Sequence, residues 1–214
     1  MTAPGLHLIY FADPMCSWCW GFAPVIGAIR ERWGENLPVR VVMGGLRPGS
    51  DRPMTASAKA EVRQHWEHVA EASGQPFDLG FFGREGFVYD TDPAARAVVA
   101  ARAMAPERAL DFLERTQGAF YAEGRDVTTE AVLGDVAAET GLEREAFLER
   151  WRSPETQEET WRDYAISRRT GVTGFPTMVA GPDAGGAYAL VTQGFQRGEV
   201  LIPALEAWLS QARG

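Results

Sequence analysis

The sequence predicts an α/β protein in which a sheet domain is interrupted by an inserted all-helical domain. Three observations support this prediction: a strand–helix–strand pattern at the start of the chain, a long middle segment with helical patterning, and the return of strand patterning after residue 170. Because both ends of the chain supply strands, we expect residues 1–50 and 171–214 to form one sheet domain. Residues 51–170 are then the helical insertion.

The first strand–helix–strand unit is bounded by clear turn signals. Residues 6–12 are apolar and end at Asp13-Pro14, which predicts a buried strand. Residues 20–33 carry apolar side chains at helical spacing, and Gly34 is expected to end this helix. Residues 39–43 predict a second strand that ends at Gly44-Gly45. A unit of this length is typical of a parallel crossover.

The middle of the chain contains mostly helical patterns, interrupted by a loop over residues 80–90 that is rich in aromatic side chains. We expect those aromatic residues to form the core of the insertion rather than a ligand site. The predicted helices cover residues 55–72, 93–104, 107–121, 129–140, 143–151 and 154–169.

The last part of the chain returns to strands. The loop 171–177 leads into a strand over 178–180, a Gly/Pro/Asp turn and a second strand over 188–192. A closing helix is predicted over 197–211, with one apolar face.

The composition excludes several classes of protein. The chain has 214 residues, 45% of them hydrophobic, and a net charge of −8 from 21 basic and 29 acidic side chains. An acidic chain without a basic run is a poor candidate for binding nucleic acid or an anionic membrane. The N-terminus lacks the basic start of a signal peptide, and no segment has the ~20 apolar residues needed to span a bilayer. We therefore expect a cytoplasmic protein, without predicting its oligomeric state.

The two cysteines of the chain form a single C-x-x-C motif. Cys16 and Cys19 directly follow the first predicted strand and lie at the start of the first helix. At that position the unpaired N–H groups and the helix dipole favour a Cys16 thiolate. Cys19 follows one turn later, close enough to attack a mixed disulfide on Cys16. This arrangement predicts a dithiol redox site.

Two prolines add to this prediction. Pro24 interrupts an otherwise regular helical pattern after the motif, which suggests a positional reason for it. Phe175-Pro176 precedes a predicted strand and is flanked by Gly174 and Thr177. In redox folds of this type, a cis proline opposite the C-x-x-C motif presents the preceding backbone groups to an extended substrate.

Together these residues resemble the DsbA family of the thioredoxin superfamily, and within it the FrnE-like branch of predicted cytoplasmic protein-disulfide isomerases. The resemblance covers nearly the whole chain. It rests on the strings DPMCSWCWGF at 13–22, GGLRPG at 44–49, YDT at 89–91 and GVTGFPT at 171–177. It implies a thioredoxin-like sheet domain with a helical insertion.

The resemblance also implies roles for individual residues. Cys16 is expected to be the nucleophile, Cys19 the resolving thiol and Pro176 the cis proline, with no cofactor and no metal. Trp18, Phe175 and Thr177 are then candidates for substrate binding. The chain departs from periplasmic DsbA in having Ser17-Trp18 where DsbA has Pro-His, so a strongly oxidising potential is not implied.

Simpler interpretations remain open at several positions. The cysteines could be inert core thiols, or could join His65 and His68 in a zinc site, although the histidine pair fits a solvated helix surface better. Asp13 needs no role beyond ending the strand. Trp18 and Trp20 could line a substrate site or pack against the insertion.

Three functional hypotheses follow. The first is a thiol–disulfide oxidoreductase that reduces or isomerises disulfides of proteins or peptides, with glutathione as a further candidate partner. The second is glutathione-dependent chemistry, since kappa-class glutathione transferases and 2-hydroxychromene-2-carboxylate isomerases look similar in layout. Those enzymes typically place serine at the position of Cys16, which favours the first hypothesis. The third is a binding module whose dithiol acts as a redox switch.

Overall fold

The chain forms a four-stranded mixed sheet whose strands come from both ends of the sequence. A computed structural model describes residues 5–182 and 186–211. The strands are β1 (His7–Ala12), β2 (Val39–Met43), β3 (Thr177–Gly181) and β4 (Ala189–Gln193). Their order is β2-β1-β3-β4, with β1 parallel to β2 and antiparallel to β3, and β3 antiparallel to β4. The predicted α/β class is confirmed.

Helices flank this sheet and fill the middle of the chain. The first helix, α1 (Ser17–Trp33), connects β1 to β2, and the last, α8 (Gly198–Gln211), follows β4. Six α-helices lie between β2 and β3 in the described residues: α2 (Ala56–Ser73), α3 (Asp92–Met104), α4 (Ala109–Tyr121), α5 (Glu130–Glu139), α6 (Arg144–Arg152) and α7 (Pro154–Arg169). None of the helices in residues 5–182 and 186–211 is both long and apolar enough to cross a lipid bilayer.

Most predicted elements lie within one or two residues of the observed ones, but α1 begins three residues before the predicted start. The backbone N–H groups of Cys19 and Trp20 both donate to the Cys16 carbonyl, which starts the helix inside the C-x-x-C motif. The predicted turn between β3 and β4 falls in part on residues 183–185, and the N-terminal residues 1–4 also lie outside the described residues.

Pro24 lies inside α1 and links this helix to the insertion. Since proline lacks an N–H, the carbonyl of Trp20, four residues earlier, has no helical partner at this point. That carbonyl accepts a hydrogen bond from Gln75 Nε2, in the segment that follows α2, at 3.1 Å. Because Pro24 leaves the Trp20 carbonyl without a helical donor, this carbonyl can accept the hydrogen bond that holds the segment after α2 against α1.

The insertion also covers β2, which is an edge strand of the sheet. Asp163 on α7 accepts a hydrogen bond from the Met43 N–H at 2.9 Å, and Arg102 on α3 donates to the Val41 carbonyl at 2.7 Å. Arg102 and Asp163 pair with each other at 2.7 Å. These contacts satisfy backbone groups that an edge strand would otherwise leave exposed to pairing with another chain.

The apolar core is continuous from the sheet into the insertion. Trp66 on α2 is 1% exposed and is surrounded by aromatic rings, including Phe81 at 4.9 Å and Tyr121 at 4.9 Å between ring centroids. The aromatic segment over residues 80–90 therefore contributes to the core, as predicted, although a short 3₁₀ helix, Leu79–Gly83, forms within it.

Candidate active site

Cys16 is the residue that immediately precedes α1. It takes an extended conformation (φ −96°, ψ 114°), and no acidic side chain lies in the first turn of the helix to neutralise its positive end. The thiol is free, and the residue is 6% exposed. Cys16 Sγ therefore lies at the positive end of α1.

The loop before β3 comes within reach of this thiol. The Phe175–Pro176 peptide bond is cis, and the Cys16 thiol donates to the Phe175 carbonyl at 3.5 Å. Gly44, at the end of β2, makes room for the Phe175 ring, because a Cβ atom at Gly44 would lie 2.0 Å from Phe175 Cζ. Three distant parts of the chain therefore meet at Cys16: the start of α1, the end of β2 and the cis-proline loop.

A cavity of about 350 Å³ opens beside Cys16, a size within the range of small-molecule sites. One side is formed by residues on or next to the sheet and the other by residues of the insertion. The lining residues are Met15, Cys16, Ser17, Trp18, Leu46, Arg47, Glu61, Val62, His65, Trp66, Tyr89 and Phe175.

Trp18 lines the cavity and also contacts three aromatic rings. Its indole contacts Phe195, with ring centroids 5.3 Å apart, and meets His65 and His68 of α2 edge to face at 5.8 and 5.5 Å. Both functions considered for Trp18, lining a cavity and packing on the insertion, are found together. Burial, followed by the nearby charges of His68 and Arg47, lowers the pKa of His65.

His65 and His68 lie on the exposed surface of α2, as predicted, and both rings also contact Trp18, while His65 lines the cavity. The zinc interpretation gains no support, since the described residues contain no group of three or more His, Cys, Asp or Glu side chains arranged to hold a metal ion.

Cys19 is not among the residues that line the cavity, and it is fully buried. Burial, followed by the adjacent Cys16 thiol, raises the pKa of Cys19 well above its ordinary value. The hydroxyl of Tyr10 on β1 is buried beside the Cys19 thiol, and the described residues offer it no hydrogen bond of ordinary geometry. A thiolate formed at Cys19 would thus have a nearby O–H group available as a donor.

Asp13 is a buried carboxyl group next to the same thiol. It accepts hydrogen bonds from the Met15 N–H at 2.9 Å and the Leu46 N–H at 2.8 Å, which join the C-x-x-C segment to the loop after β2. Burial raises the pKa of Asp13 from 3.8 to about 6, despite these two bonds. Its charge is also one of the influences that raise the pKa of Cys19. Asp13 therefore does more than end the strand.

Comparison with known proteins identifies the family. The sequence matches the DSBA-like thioredoxin domain over residues 7–202, which is most of the chain. The protein belongs to the DSBA-like thioredoxin domain family. The predicted resemblance and the thioredoxin-like fold are both confirmed by this match.

Solved structures with the same fold support this assignment. A candidate protein disulfide isomerase from Nitrosomonas europaea is 36% identical, with a TM-score of 0.89, over 96% of this chain and 98% of that one. The cytosolic disulfide reductase DsbM from Pseudomonas aeruginosa is 29% identical, with a TM-score of 0.80, over 96% of this chain and 99% of that one. DsbM has also been solved with GSH.

The chain is also similar to a protein described by a different activity. It is 26% identical over 174 residues to the ClpXP adapter protein SpxH of Bacillus subtilis (strain 168). The match covers 81% of this chain and 57% of that protein, so the chain spans little more than half the length of this relative.

In this DSBA-like chain, Pro176, Thr177 and Trp20 are absent from the cavity lining, as is Cys19. The Thr177 side chain is 3% exposed and donates to the Gly174 carbonyl at 2.8 Å, so its hydroxyl stabilises the cis-proline loop. The Trp20 indole donates to the Pro76 carbonyl at 3.0 Å and packs against the insertion. Neither side chain lines the space next to Cys16.

Sequence reasoning missed Tyr10, Arg47 and Tyr89 as site residues. In the sequence, Tyr10 is indistinguishable from the apolar residues of a buried strand. Tyr89 likewise resembles the neighbouring aromatic residues that are predicted to form the core. The Tyr89 hydroxyl, however, donates to the Met15 carbonyl at 2.9 Å, directly before Cys16. For Arg47, a signal was present: it lies within the GGLRPG string at 44–49, which carries part of the family resemblance.

Proposed function

We propose that the protein is a thiol–disulfide oxidoreductase that reduces disulfides through Cys16 and Cys19. The observation that carries the proposal is the placement of Cys16, which lies at the N-terminus of α1, 3.5 Å from the Phe175 carbonyl and beside a cavity. Two free thiols three residues apart are the minimum that a dithiol mechanism needs. The similarity to DsbM and to the Nitrosomonas europaea protein supports the same reaction class.

The first step takes place at the cavity. The Cys16 thiolate attacks one sulfur of the substrate disulfide, so that a new S–S bond forms and the other sulfur leaves as a thiolate that takes up a proton. The cis Pro176 and the backbone of Phe175 lie next to the attacking sulfur and would position an extended substrate. Trp18 and the Phe175 ring supply apolar surface on either side.

The second step takes place between Cys19 and Cys16. Cys19 loses its proton and attacks Cys16 of the mixed disulfide, which releases the second substrate thiol and leaves a Cys16–Cys19 disulfide. The buried Asp13 carboxylate, whose charge acts on Cys19, is the group that we propose receives that proton, and the Tyr10 hydroxyl could donate to the resulting thiolate. Two equivalents of an external thiol then restore the dithiol.

Glutathione is the thiol that we propose for this restoration, and the cytosol is the compartment. The support is that DsbM is described as a cytosolic reductase and has been solved with GSH. A reducing cytosol keeps thiols reduced, which favours net reduction over net oxidation. Protein disulfides and glutathione mixed disulfides are both substrates under this proposal.

A second candidate function is that of a partner-binding adapter. The similarity to SpxH favours it, and it covers 81% of this chain. Under this alternative, the cavity beside Cys16 would bind a segment of a partner protein, and the redox state of the dithiol would control binding. Stoichiometric complex formation without turnover, with an affinity that differs between the dithiol and disulfide forms, would favour this candidate.

The deciding experiment compares Cys16→Ser with Cys19→Ser in the reduction of insulin and of glutathione disulfide by dithiothreitol, because glutathione gives no net reduction of its own disulfide. We expect Cys16→Ser to abolish turnover, because the attacking sulfur is lost. We expect Cys19→Ser to accumulate a covalent adduct on Cys16, detected by mass spectrometry of the intact protein, because the resolving sulfur is lost.

The double serine variant controls for adducts elsewhere, since the chain contains no other cysteine. Undiminished turnover in Cys16→Ser would refute the mechanism. Conjugation or isomerisation of a small molecule that survives in Cys19→Ser would instead favour the glutathione-dependent chemistry of the kappa-class type.

A further inference from the structure

A histidine on the insertion side of the cavity has ring nitrogens without a hydrogen-bond partner. His65 lies on α2 and lines the cavity beside Cys16. Its ring meets the Trp18 indole edge to face, with the ring centroids 5.8 Å apart. Among residues 5–182 and 186–211, no group makes a hydrogen bond with either ring nitrogen of His65. The ring is therefore free to accept a proton from a molecule in the cavity.

The other titratable side chains of the lining, apart from Cys16, are less suited to accept a proton near neutral pH. The Arg47 guanidinium holds its protons permanently. The Tyr89 hydroxyl already donates to the Met15 carbonyl at 2.9 Å, and burial raises the pKa of Tyr89 above its ordinary value. Glu61 carries a carboxylate, and carboxylates are in general weaker bases than imidazole.

The surroundings of His65 favour the neutral form of its ring. Burial, followed by the nearby charges of His68 on α2 and Arg47 in the loop after β2, lowers the pKa of His65. Glu61, one turn earlier on α2, is the carboxylate of the same lining. The imidazole is thus mostly neutral near pH 7, and the neutral form is the one that acts as a base.

The reduction of the protein's own disulfide requires a proton acceptor in this cavity. Cys16 lines the cavity and Cys19 does not, so an external thiol that attacks the Cys16–Cys19 disulfide approaches Cys16 through the cavity. In the resulting mixed disulfide its sulfur lies about 2.05 Å from Cys16 Sγ. A thiol ordinarily keeps its proton near pH 7 and must lose it to react, because the thiolate is the nucleophile.

We propose that His65 is the general base that takes the proton of the thiol that enters the cavity to reduce the Cys16–Cys19 disulfide. The inference rests on the proposed reductase function and adds a residue of the insertion to it. The entering thiol gives its proton to a ring nitrogen of His65, and its sulfur forms a bond with Cys16 Sγ. The Cys16–Cys19 bond breaks, and Cys19 leaves with the electron pair and takes up a proton.

A second equivalent of thiol completes the reduction. It gives its proton to His65 in the same way and attacks the external sulfur of the mixed disulfide. Cys16 leaves as a thiolate, and the two external thiols depart as one disulfide. His65 is exposed on α2, so it can pass each proton on to water between the two steps.

The test compares two neutral thiols of similar size as reductants of the oxidised protein between pH 6 and 9: 2-mercaptoethanol and the more acidic 2,2,2-trifluoroethanethiol. In His65→Gln at pH 7 we expect the rate with 2-mercaptoethanol to fall by roughly tenfold, because nearly all of this thiol is protonated. The rate with trifluoroethanethiol should fall by about threefold at most, since a larger part of it has ionised without a base. Quenching with N-ethylmaleimide in denaturant, followed by mass spectrometry, counts the molecules that still hold the disulfide.

The pH profile is a second readout. The rate of His65→Gln with 2-mercaptoethanol should rise more steeply with pH than that of the wild type, because only the ionised thiol then reacts. The two rates should approach each other toward pH 9, where the thiol ionises increasingly on its own.

The matched control is His68→Gln. His68 lies one turn further along α2 and also meets Trp18 edge to face, at 5.5 Å, but it does not line the cavity. This substitution should change the rates with both thiols by the same factor, or not at all, at every pH.

An equal fall for both thiols in His65→Gln, with a pH profile parallel to that of the wild type, would overturn the inference, because a packing role would have this effect. The same selective loss in His68→Gln would overturn it as well. A wild-type disulfide that neither thiol reduces would instead refute the proposed function, and this inference with it.

Discussion

Cys16, directly before α1, and Cys19, in its first turn, are three residues apart, yet they lie in different environments. Cys16 faces a cavity, next to a peptide carbonyl and the N-terminus of α1. Cys19 is fully buried against the sheet, beside a tyrosine hydroxyl and a carboxyl group. Burial disfavours a thiolate at Cys19 by raising the pKa of its thiol.

This difference sets an order for the two thiols. In the proposed mechanism, Cys16, which lines the cavity, meets a disulfide first, and the fully buried Cys19 reacts only after Cys16 has been joined to substrate. A resolving thiol with a raised pKa is protected from outside reagents, so it needs local help to ionise. Asp13 and Tyr10 are the groups that lie in position to provide that help.

The largest expected effect is a difference in alkylation between the two thiols. In native protein at pH 7.5, we expect iodoacetamide to modify Cys16 faster than Cys19 by roughly 1,000-fold, equivalent to about 4 kcal/mol, because Cys19 requires local opening and has a raised pKa. Peptide mass spectrometry of quenched time points gives both rates, and the two single serine variants assign each peak. Equal rates would remove the asymmetry on which the order of attack depends.

The second test concerns the ionisation of Asp13, the buried carboxyl group next to Cys19. Between pH 4 and 6 the folded protein keeps a proton on Asp13 that the unfolded chain has released, so the free energy of unfolding should decrease as pH rises across this window. The pKa rise from 3.8 to about 6 corresponds to roughly 3 kcal/mol. In Asp13→Asn that part of the slope should vanish. Urea denaturation at several pH values measures it.

The slope is the useful readout for Asp13→Asn, because the substitution also removes an acceptor for one of two backbone N–H groups and so changes stability at every pH. Asp51→Asn, at an exposed carboxylate, is the control and should keep the wild-type slope. An unchanged slope in Asp13→Asn would show that Asp13 is not the group that titrates here.

The third test changes the surroundings of Cys16 without a change at Cys19. The new Cβ atom in Gly44→Ala would overlap the Phe175 ring, so the ring must move away from the cavity. We expect kcat/KM to fall by roughly tenfold and the free energy of unfolding by about 1–2 kcal/mol. Gly27→Ala, in α1 with open space around the new atom, should instead stabilise by about 0.5–1 kcal/mol. Wild-type turnover in Gly44→Ala would mean that the Phe175 ring does not shape the site.

The smallest effect is expected at Tyr10. In Tyr10→Phe the resolution of a mixed disulfide on Cys16 should slow by roughly fivefold, about 1 kcal/mol, because the donor to the Cys19 thiolate is lost. Formation of the mixed disulfide should not change. The free energy of unfolding should stay constant or rise, since a buried hydroxyl without a hydrogen bond is removed.

Rapid quenching with acid, followed by mass spectrometry, separates the two steps. Tyr188→Phe, which changes an exposed tyrosine far from the cysteines in sequence, serves as the control. Slowing of both steps to the same extent in Tyr10→Phe would assign Tyr10 a role in packing instead of a role at Cys19.

The periodicity of the sequence was sufficient to predict most strands and helices of the fold. Apolar alternation and helical spacing predicted the strands and the long helices within a few residues, because each buries one face or stripe. The start of α1 was placed too late, since residues 16–19 carry no apolar periodicity and only the accepting Cys16 carbonyl begins the helix there. The position of the motif between β1 and α1 was enough to predict a dithiol site there.

The sequence by itself determined the class of the fold, the dithiol and the proline opposite it, because these depend on local patterns and on short motifs. Only the tertiary structure decided what surrounds each sulfur. Tyr10, Asp13, Arg47 and Tyr89 are separated along the chain, and their burial and partners arise from the packing of β1, the loop after β2 and the insertion. The environment of a thiol depends on such distances, which a sequence pattern does not contain.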